Sequence, residues 1–313
     1  MTTQLNARLA DKPNLTKIVS ELLQIWPEHE SYCERRFRDD PPGFLQRSEQ
    51  LAALVVKLTD SNLSRHLEDY KWMCAEFVQE ELYFRRHGKY RLSTFKEAFD
   101  TVYGDDTYMA RYVRGILISQ FIWSPHALAF DFFRTAFLPL MPKNARYLEV
   151  GPGHGLFLYF AAQEPHVAEI VAWDISQSSI AATNRAIEKL GVTKDVSLIE
   201  QDVLLAATEP DSFDGAVISE VLEHLEDPRT ALSTLYSSLK PGGKVFINVP
   251  VNSPAPDHIY LWRSTEEFVD FVKSVGFEIK NAEFYPVTGT TLQRAKKQDL
   301  SISCIIIGEK PVS

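Results

Sequence analysis

The chain has 313 residues, 45% of them hydrophobic, enough to fill the core of one large domain or of a catalytic domain with a smaller companion. Its formal charge of -9 argues against a nucleic-acid partner, because phosphate contacts need clustered Lys and Arg that this chain supplies only locally. The opening MTTQLNARLADKPNLTK lacks an apolar signal core, and the run GILISQFIWSPHALAF is broken by Ser119, Gln120, Pro125 and His126, so neither a signal peptide nor a membrane span is expected.

Helical periodicity comes first along the chain. Leu51, Leu54, Val55 and Leu58 follow an i, i+3, i+4, i+7 pattern, and Leu67, Tyr70, Cys74, Phe77, Val78 and Leu82 extend it to Gly88, which suits a left-handed helix stop. Arg35, Arg36 and Arg38, then Arg85, Arg86, Lys89 and Arg91, read as solvated helix faces, with docking of an acidic substrate or carrier protein as the alternative. Tyr108 and Tyr112 share a helix face at i, i+4, and Ser119, Trp123 and His126 follow. That stripe is either core packing or an aromatic wall against a cation or a flat substrate. Ser124 and Pro125 predict an N-cap and N1 pair for a helix reaching about 138, which Pro139 and Pro142 close.

From about residue 142 the texture changes. RYLEVG, EIVAWD, VSLIEQ, DGAVIS, KVFINVP, FEIKNAEF and SISCIIIGE read as strands, mostly separated by windows long enough for crossover helices. This alternation predicts a mostly parallel, doubly wound α/β sheet with ligands at the carboxyl ends of its strands. A helical cap over 1–141 and an α/β domain over 142–313 are therefore expected. Ser264 with Glu267 predicts a capping box. Cys33, Cys74 and Cys304, odd in number and without metal-ligand spacing, fit inert thiols in a cytoplasmic setting.

The stretch LEVGPGHGLF places three glycines directly after the first strand. A dinucleotide fingerprint would need its third glycine at Leu156, and Pro152 has no N–H to offer a phosphate, which disfavours an oxidoreductase using a nicotinamide. Instead E-x-G-x-G-x-G, carried by Glu149, Gly151, Gly153 and Gly155, resembles motif I of the class I S-adenosylmethionine-dependent methyltransferases. That cofactor has no phosphate, and a carboxylate suits its ammonium.

The longer stretch FDGAVISEVLEHLEDPRTALSTLYSSLKPGGKVFINVPVN resembles the fourth and fifth strand region of ubiquinone-biosynthesis-like methyltransferases. The resemblance covers roughly residues 145 to 308 and implies a Rossmann-like seven-stranded sheet with its last strand antiparallel. It further implies that Asp174, with Ile175 beside it, meets the ribose, and that Asp202 and Val203 meet the adenine. Glu220 is expected beside the cofactor crevice. His258 and His224 are the catalytic candidates, with Asp257 a further possible base. Tyr108, Tyr112, Ser119, Trp123, His126, Asn252 and Tyr260 are the substrate candidates, and no metal is expected.

The expected function is methyl transfer from S-adenosylmethionine to a small metabolite, free or carrier-bound, by a monomer or homodimer, with O, N and C acceptors all open. Two alternatives keep the cofactor. One uses it without transferring methyl, releasing methylthioadenosine or promoting a cyclisation, and the other is a non-catalytic binding protein.

Overall fold

A computed structural model describes residues 1–206 and 210–312, and among these no strand precedes Ala145. The helices start where the sequence supplies caps. Thr2 caps α1 (Thr3–Leu9), its hydroxyl accepting the Leu5 N–H. Proline occupies the first turn of α2 (Pro13–Ile25), α3 runs Glu30–Phe37, and α4 (Pro42–Leu58) again opens on proline. Helix α5 (Leu63–His87) ends at Gly88, whose φ of +66° lets its N–H reach the Phe84 carbonyl at 2.7 Å. A capping box of Thr94 and Glu97 starts α6 (Phe95–Ala98), and the Asp105 carboxylate caps α7 (Asp106–Ile122).

The α5 stripe differs from the sequence expectation. Leu63, Leu67, Tyr70, Met73 and Phe84 are buried, whereas Val78 and Leu82 are 55% and 46% exposed. Gly115 of α7 explains which face is covered, because a Cβ there would stand 2.9 Å from Met73 Cβ and 3.1 Å from the Asp69 carbonyl. Leu82 is nine residues beyond Met73, and at about 100° per residue it points to the opposite side.

Helix α8 (Ser124–Phe132) begins one residue earlier than predicted. The Ala127 N–H bonds the Trp123 carbonyl at 3.1 Å, which puts Ser124 in the first turn, and the Ser124 N–H is donated to Thr288 Oγ1 at 2.9 Å. The helix then widens to a π turn over Phe133–Phe137 and tightens to a 3₁₀ turn over Leu138–Leu140, around a Pro139 that has no N–H to continue the ladder. Among the described residues no single helix is long and apolar enough to cross a membrane.

The remaining elements are β1 (Ala145–Val150), α9 (Leu156–Gln163), β2 (Val167–Asp174), α10 (Gln177–Leu190), β3 (Val196–Glu200), β4 (Phe213–Ser219), α11 (Pro228–Ser238), β5 (Leu239–Val251), α12 (Thr265–Val275), β6 (Glu278–Pro286), α13 (Leu292–Lys297) and β7 (Ile302–Glu309). They build one seven-stranded sheet in the order β3-β2-β1-β4-β5-β7-β6. Strands β1 to β5 pair in parallel, and β7, the last strand, runs antiparallel to β5. Strand order reverses between β1 and β4, the position at which a doubly wound sheet opens a crevice at its carboxyl ends. Both β1 and β7 are buried along nearly their whole length, as strands covered on both faces of a sheet are.

Strand β5 starts earlier than its sequence suggests. Leu239 pairs with Phe213, the register then jumps to Lys244 opposite Gly215, and Gly242 at φ +80° takes up the bulge. At α12 the Ser264 hydroxyl accepts the Glu267 N–H at 3.0 Å, while the Glu267 carboxylate reaches back to the Arg263 N–H at 2.7 Å.

Two compact units divide the chain. One comprises residues 1–131, 253–258 and 285–301, and the other comprises 132–252, 259–284 and 302–313. The helical unit thus takes in two short segments from beyond residue 142. Cys33 and Cys304 are buried and Cys74 half-buried, all as free thiols, and burial pushes the Cys33 and Cys74 thiols up to about 12, as suits inert packing groups.

Candidate cofactor and active site

In the α/β unit, the turn between β1 and α9 holds Gly151, Gly153 and Gly155 at φ +68°, +50° and +68°. Its shape is fixed by three hydrogen bonds. Gly151 N–H reaches the Trp173 carbonyl at 2.9 Å, Gly155 N–H reaches Pro152 O at 2.8 Å, and Thr183 Oγ1 donates to Gly153 O at 2.7 Å. The three glycines answer to different neighbours. A Cβ on Gly151 would lie 2.6 Å from Val221 Cγ2, and one on Gly155 would lie 2.7 Å from Ile187 Cγ2. A Cβ on Gly153 would meet nothing within 4 Å. The protein's own packing therefore demands two of the glycines, and the third keeps an open approach to bare backbone.

Behind the turn, Glu149 is 2% exposed and accepts a hydrogen bond from the Tyr147 hydroxyl at 2.8 Å. The two meet because residues i and i+2 share a strand face. Burial pushes the Glu149 carboxyl up to about 8. Asp174 ends β2, takes the Ser176 N–H at 3.0 Å, and has its pKa raised by burial, while Ile175 next to it is 58% exposed. After β3, Asp202 accepts the Leu204 N–H at 2.8 Å in an Asx turn, and Val203 is buried.

Glu220 follows β4 in a left-handed conformation (φ +54°). Its N–H bonds the Asn248 carbonyl and its carboxylate accepts from Asn248 Nδ2, both at 2.9 Å. Asn248 Nδ2 also lies 3.1 Å from Ser219 Oγ. All nine residues expected to hold the cofactor thus lie at or just beyond the carboxyl ends of β1 to β4. The nine include four carboxyl groups and no cation. That donor set fits a ligand offering an ammonium, hydroxyls and an amine, and does not fit a pyrophosphate.

His224 closes a 3₁₀ turn, with its N–H on the Val221 carbonyl at 3.0 Å and its Nε2 3.7 Å from Glu223 Oε1. The Glu223 carbonyl accepts the Ile259 and Tyr260 N–H groups at 2.9 Å each, and the Tyr260 ring lies 4.6 Å from that of Trp262. Asn252 is buried at φ +48°, with its N–H on the Trp262 carbonyl and its Nδ2 on the Arg263 carbonyl. It braces the base of the segment that follows β5.

In the helical unit, Asp257 is 4% exposed and accepts from Tyr112 at 2.8 Å and from Tyr103 at 3.3 Å. Tyr108 lies 6.2 Å from Tyr112, ring to ring, and its hydroxyl is 3.4 Å from Glu76. Trp123 donates its indole N–H to the Tyr70 hydroxyl at 3.0 Å and stands edge-on to Phe77, which stacks with Tyr112.

The Ser119 hydroxyl donates to the Ile116 carbonyl at 2.8 Å, so its contact with His126 Nδ1 at 3.1 Å has the imidazole as donor. Burial lowers His126 to about 4, which leaves it a neutral hydrogen-bonding group and a weak base at pH 7. His258 Nδ1 donates to the Ser253 carbonyl at 2.7 Å.

Tyr112 and Tyr108 separate in their expected stability effects. Tyr112→Phe removes a donor from a buried carboxylate and should lower stability by about 1–3 kcal/mol, whereas Tyr108→Phe, at a half-buried site, should change it by under about 0.5 kcal/mol. Denaturant titration checks this, and equal losses would remove the special role of the Tyr112–Asp257 bond.

Sequence reasoning missed Tyr147, Thr183 and Tyr103. The alternation in RYLEV could have paired Tyr147 with Glu149. No local pattern marks the other two.

Residues 125–279 match a family model described as a methyltransferase domain. Among curated relatives, the ubiquinone biosynthesis O-methyltransferase of Xanthomonas axonopodis pv. citri (strain 306) is 32% identical over 146 residues, covering 43% of this chain and 59% of that protein. The protein of the same name from Ralstonia nicotianae is 26% identical over 196 residues, covering 55% and 79%. The chain spans less than two thirds of the first relatives it matches, 59% and 57% of their lengths.

Solved structures that it resembles include the following two. An S-adenosylmethionine dependent methyltransferase from Mesorhizobium loti has a TM-score of 0.45 at 18% identity, covering 58% of this chain and 97% of that one. The [4+2]-cyclase SpnF has a TM-score of 0.48 at 20% identity, covering 59% and 80%. The family match over residues 125–279, on this sheet order, supports a class I S-adenosylmethionine-dependent methyltransferase domain in this part of the chain. S-adenosylmethionine is accordingly its cofactor.

Proposed function

We propose that this protein is a cytoplasmic enzyme that transfers a methyl group from S-adenosylmethionine to a small-molecule metabolite, free or carrier-bound. The observation that carries the proposal is the β1–α9 turn, in which Gly153 is open on the side where the other two glycines are packed, with a buried carboxyl behind it. In this reading the glycine turn and Glu149 receive the amino-acid end of the cofactor. Asp174 receives the ribose hydroxyls, and Asp202 with Val203 receives the adenine.

The cofactor supplies an electrophilic methyl on a sulfonium. The chain's part is then to align the acceptor, exclude water and take a proton where the nucleophile carries one. His258 and His224 are the bases proposed for that proton. Tyr108, Tyr112, Ser119, Trp123, His126, Asn252 and Tyr260 are proposed to shape the acceptor site, without nucleic acid or membrane as partner.

Product analysis tests the reaction. Incubation with S-adenosylmethionine and a small-molecule extract should yield S-adenosylhomocysteine, and release of methylthioadenosine instead would overturn methyl transfer. The ribose assignment has its own test. Asp174→Ala should weaken cofactor binding by about 2–3 kcal/mol through loss of charge-assisted hydroxyl contacts, with little effect on folding at a strand end. An unchanged dissociation constant in calorimetric titration would free Asp174 from that role.

A further inference from the structure

Within the helical unit, α5 and α7 enclose a cleft of about 320 Å³ lined by Arg65, Asp69, Asp106, Arg111 and Arg114, together with small side chains of the first turns of α7. The close approach that Gly115 allows brings α7 over Asp69, and this carboxylate takes the Nε–H of Arg111 at 2.9 Å and of Arg114 at 2.6 Å. Arg111 is also stacked on Trp72, its guanidinium carbon 4.1 Å from the ring centroid. Both arginines are therefore held through Nε and by packing, and their terminal NH₂ groups make no hydrogen bond to the described residues. Arg65, on the first turn of α5, is exposed and makes no hydrogen bond to the described residues.

Holding three guanidinium groups around one cleft is unfavourable by like-charge repulsion unless something neutralises them. Asp69 offsets part of this and Asp106 at the rim another part. Three arginines against two aspartates leave one net positive charge in the lining of a chain whose formal charge is -9. The arrangement has the marks of a prepared anion site: forked donors fixed from behind by a nearly buried carboxylate, with the remaining N–H groups available. A carboxylate has two oxygens and one charge, which a single guanidinium satisfies. A phosphomonoester presents three oxygens, one for each guanidinium group of the lining.

We infer that the α5–α7 cleft is a binding site for a phosphomonoester group, lined by residues that the proposed acceptor site does not use. The inference stands apart from the proposed methyl transfer.

Inorganic phosphate is the probe, titrated into the whole protein by calorimetry at constant ionic strength, with acetate as the one-charge control. Saturable binding at one site is expected, weakened at least about tenfold in Arg65→Gln, with S-adenosylmethionine binding unchanged in that variant. Arg65 has no hydrogen bond or ion pair among the described residues, so its loss should leave the melting temperature in place. Arg114→Gln should weaken phosphate similarly even where removing a partner of Asp69 lowers stability. No saturation by tens of millimolar phosphate, equal affinity for acetate, or unchanged phosphate binding in Arg65→Gln would each overturn the inference.

Discussion

Cofactor binding near pH 7 is expected to release close to one proton, and Glu149→Gln should abolish the release. Glu149 is buried with the Tyr147 hydroxyl as its donor among the described residues, and its pKa of about 8 leaves it mostly protonated at neutral pH. An ammonium brought beside it favours the carboxylate, so the proton must leave as the ligand binds. Calorimetric titration in buffers of different ionisation enthalpy reads the proton count directly. A count near zero in the unaltered protein would place the ammonium elsewhere.

The same group sets a pH dependence of stability in the absence of ligand. The carboxyl titrates at 4.5 when exposed in the unfolded chain and at about 8 in the folded one, so between these values the folded state binds more protons. Stability from this group is therefore complete below pH 4.5 and declines as pH rises through 8. The span of that decline is on the order of 5 kcal/mol. Glu149→Gln, which keeps a neutral hydrogen-bonding side chain, should flatten that slope. A slope that survives the substitution would assign it to other groups.

What the sequence made legible follows from where physical constraints are local. Strand β7 stood out because a strand covered on both sheet faces is mostly apolar, and the turn after β1 stood out because glycine is the residue that adopts φ near +60° without strain. Gly88 was readable as a helix stop for the same reason, and Ser264 as a helix start because its hydroxyl can accept the Glu267 N–H.

The stripe on α5 misled at Val78 and Leu82, because periodicity gives the apolar positions and not which of them a partner helix covers. Gly115 decides that, from a different helix. The Tyr112–Asp257 bond joins residues 145 apart, and the helical unit recruits residues 253–258 and 285–301 from beyond residue 142. Such pairings leave no trace in a local window. The β5 bulge is a milder case, since KVFINVP marks only the later part of a strand that begins at Leu239.

Substituting the three turn glycines one at a time should separate packing from ligand approach. Gly155→Ala combines a left-handed φ with a methyl 2.7 Å from Ile187 Cγ2, and Gly151→Ala combines one with a methyl 2.6 Å from Val221 Cγ2. Each adds overpacking to roughly 1–2 kcal/mol of backbone strain, so each should lower stability by about 2–4 kcal/mol. Gly153→Ala bears the backbone strain alone, because nothing lies within 4 Å of its Cβ position, and should lose only about 1–2 kcal/mol. Its methyl nevertheless fills the side from which a ligand would reach the turn, so its affinity for S-adenosylmethionine should fall more than about tenfold, beyond 1.4 kcal/mol. Melting temperature and calorimetric affinity measured on the same three variants decide the matter. Should Gly153→Ala bind the cofactor as tightly as the unaltered protein, the open side of the turn would not be the cofactor's approach, and the ligand would have to be sought along Asp174 and Glu220 instead.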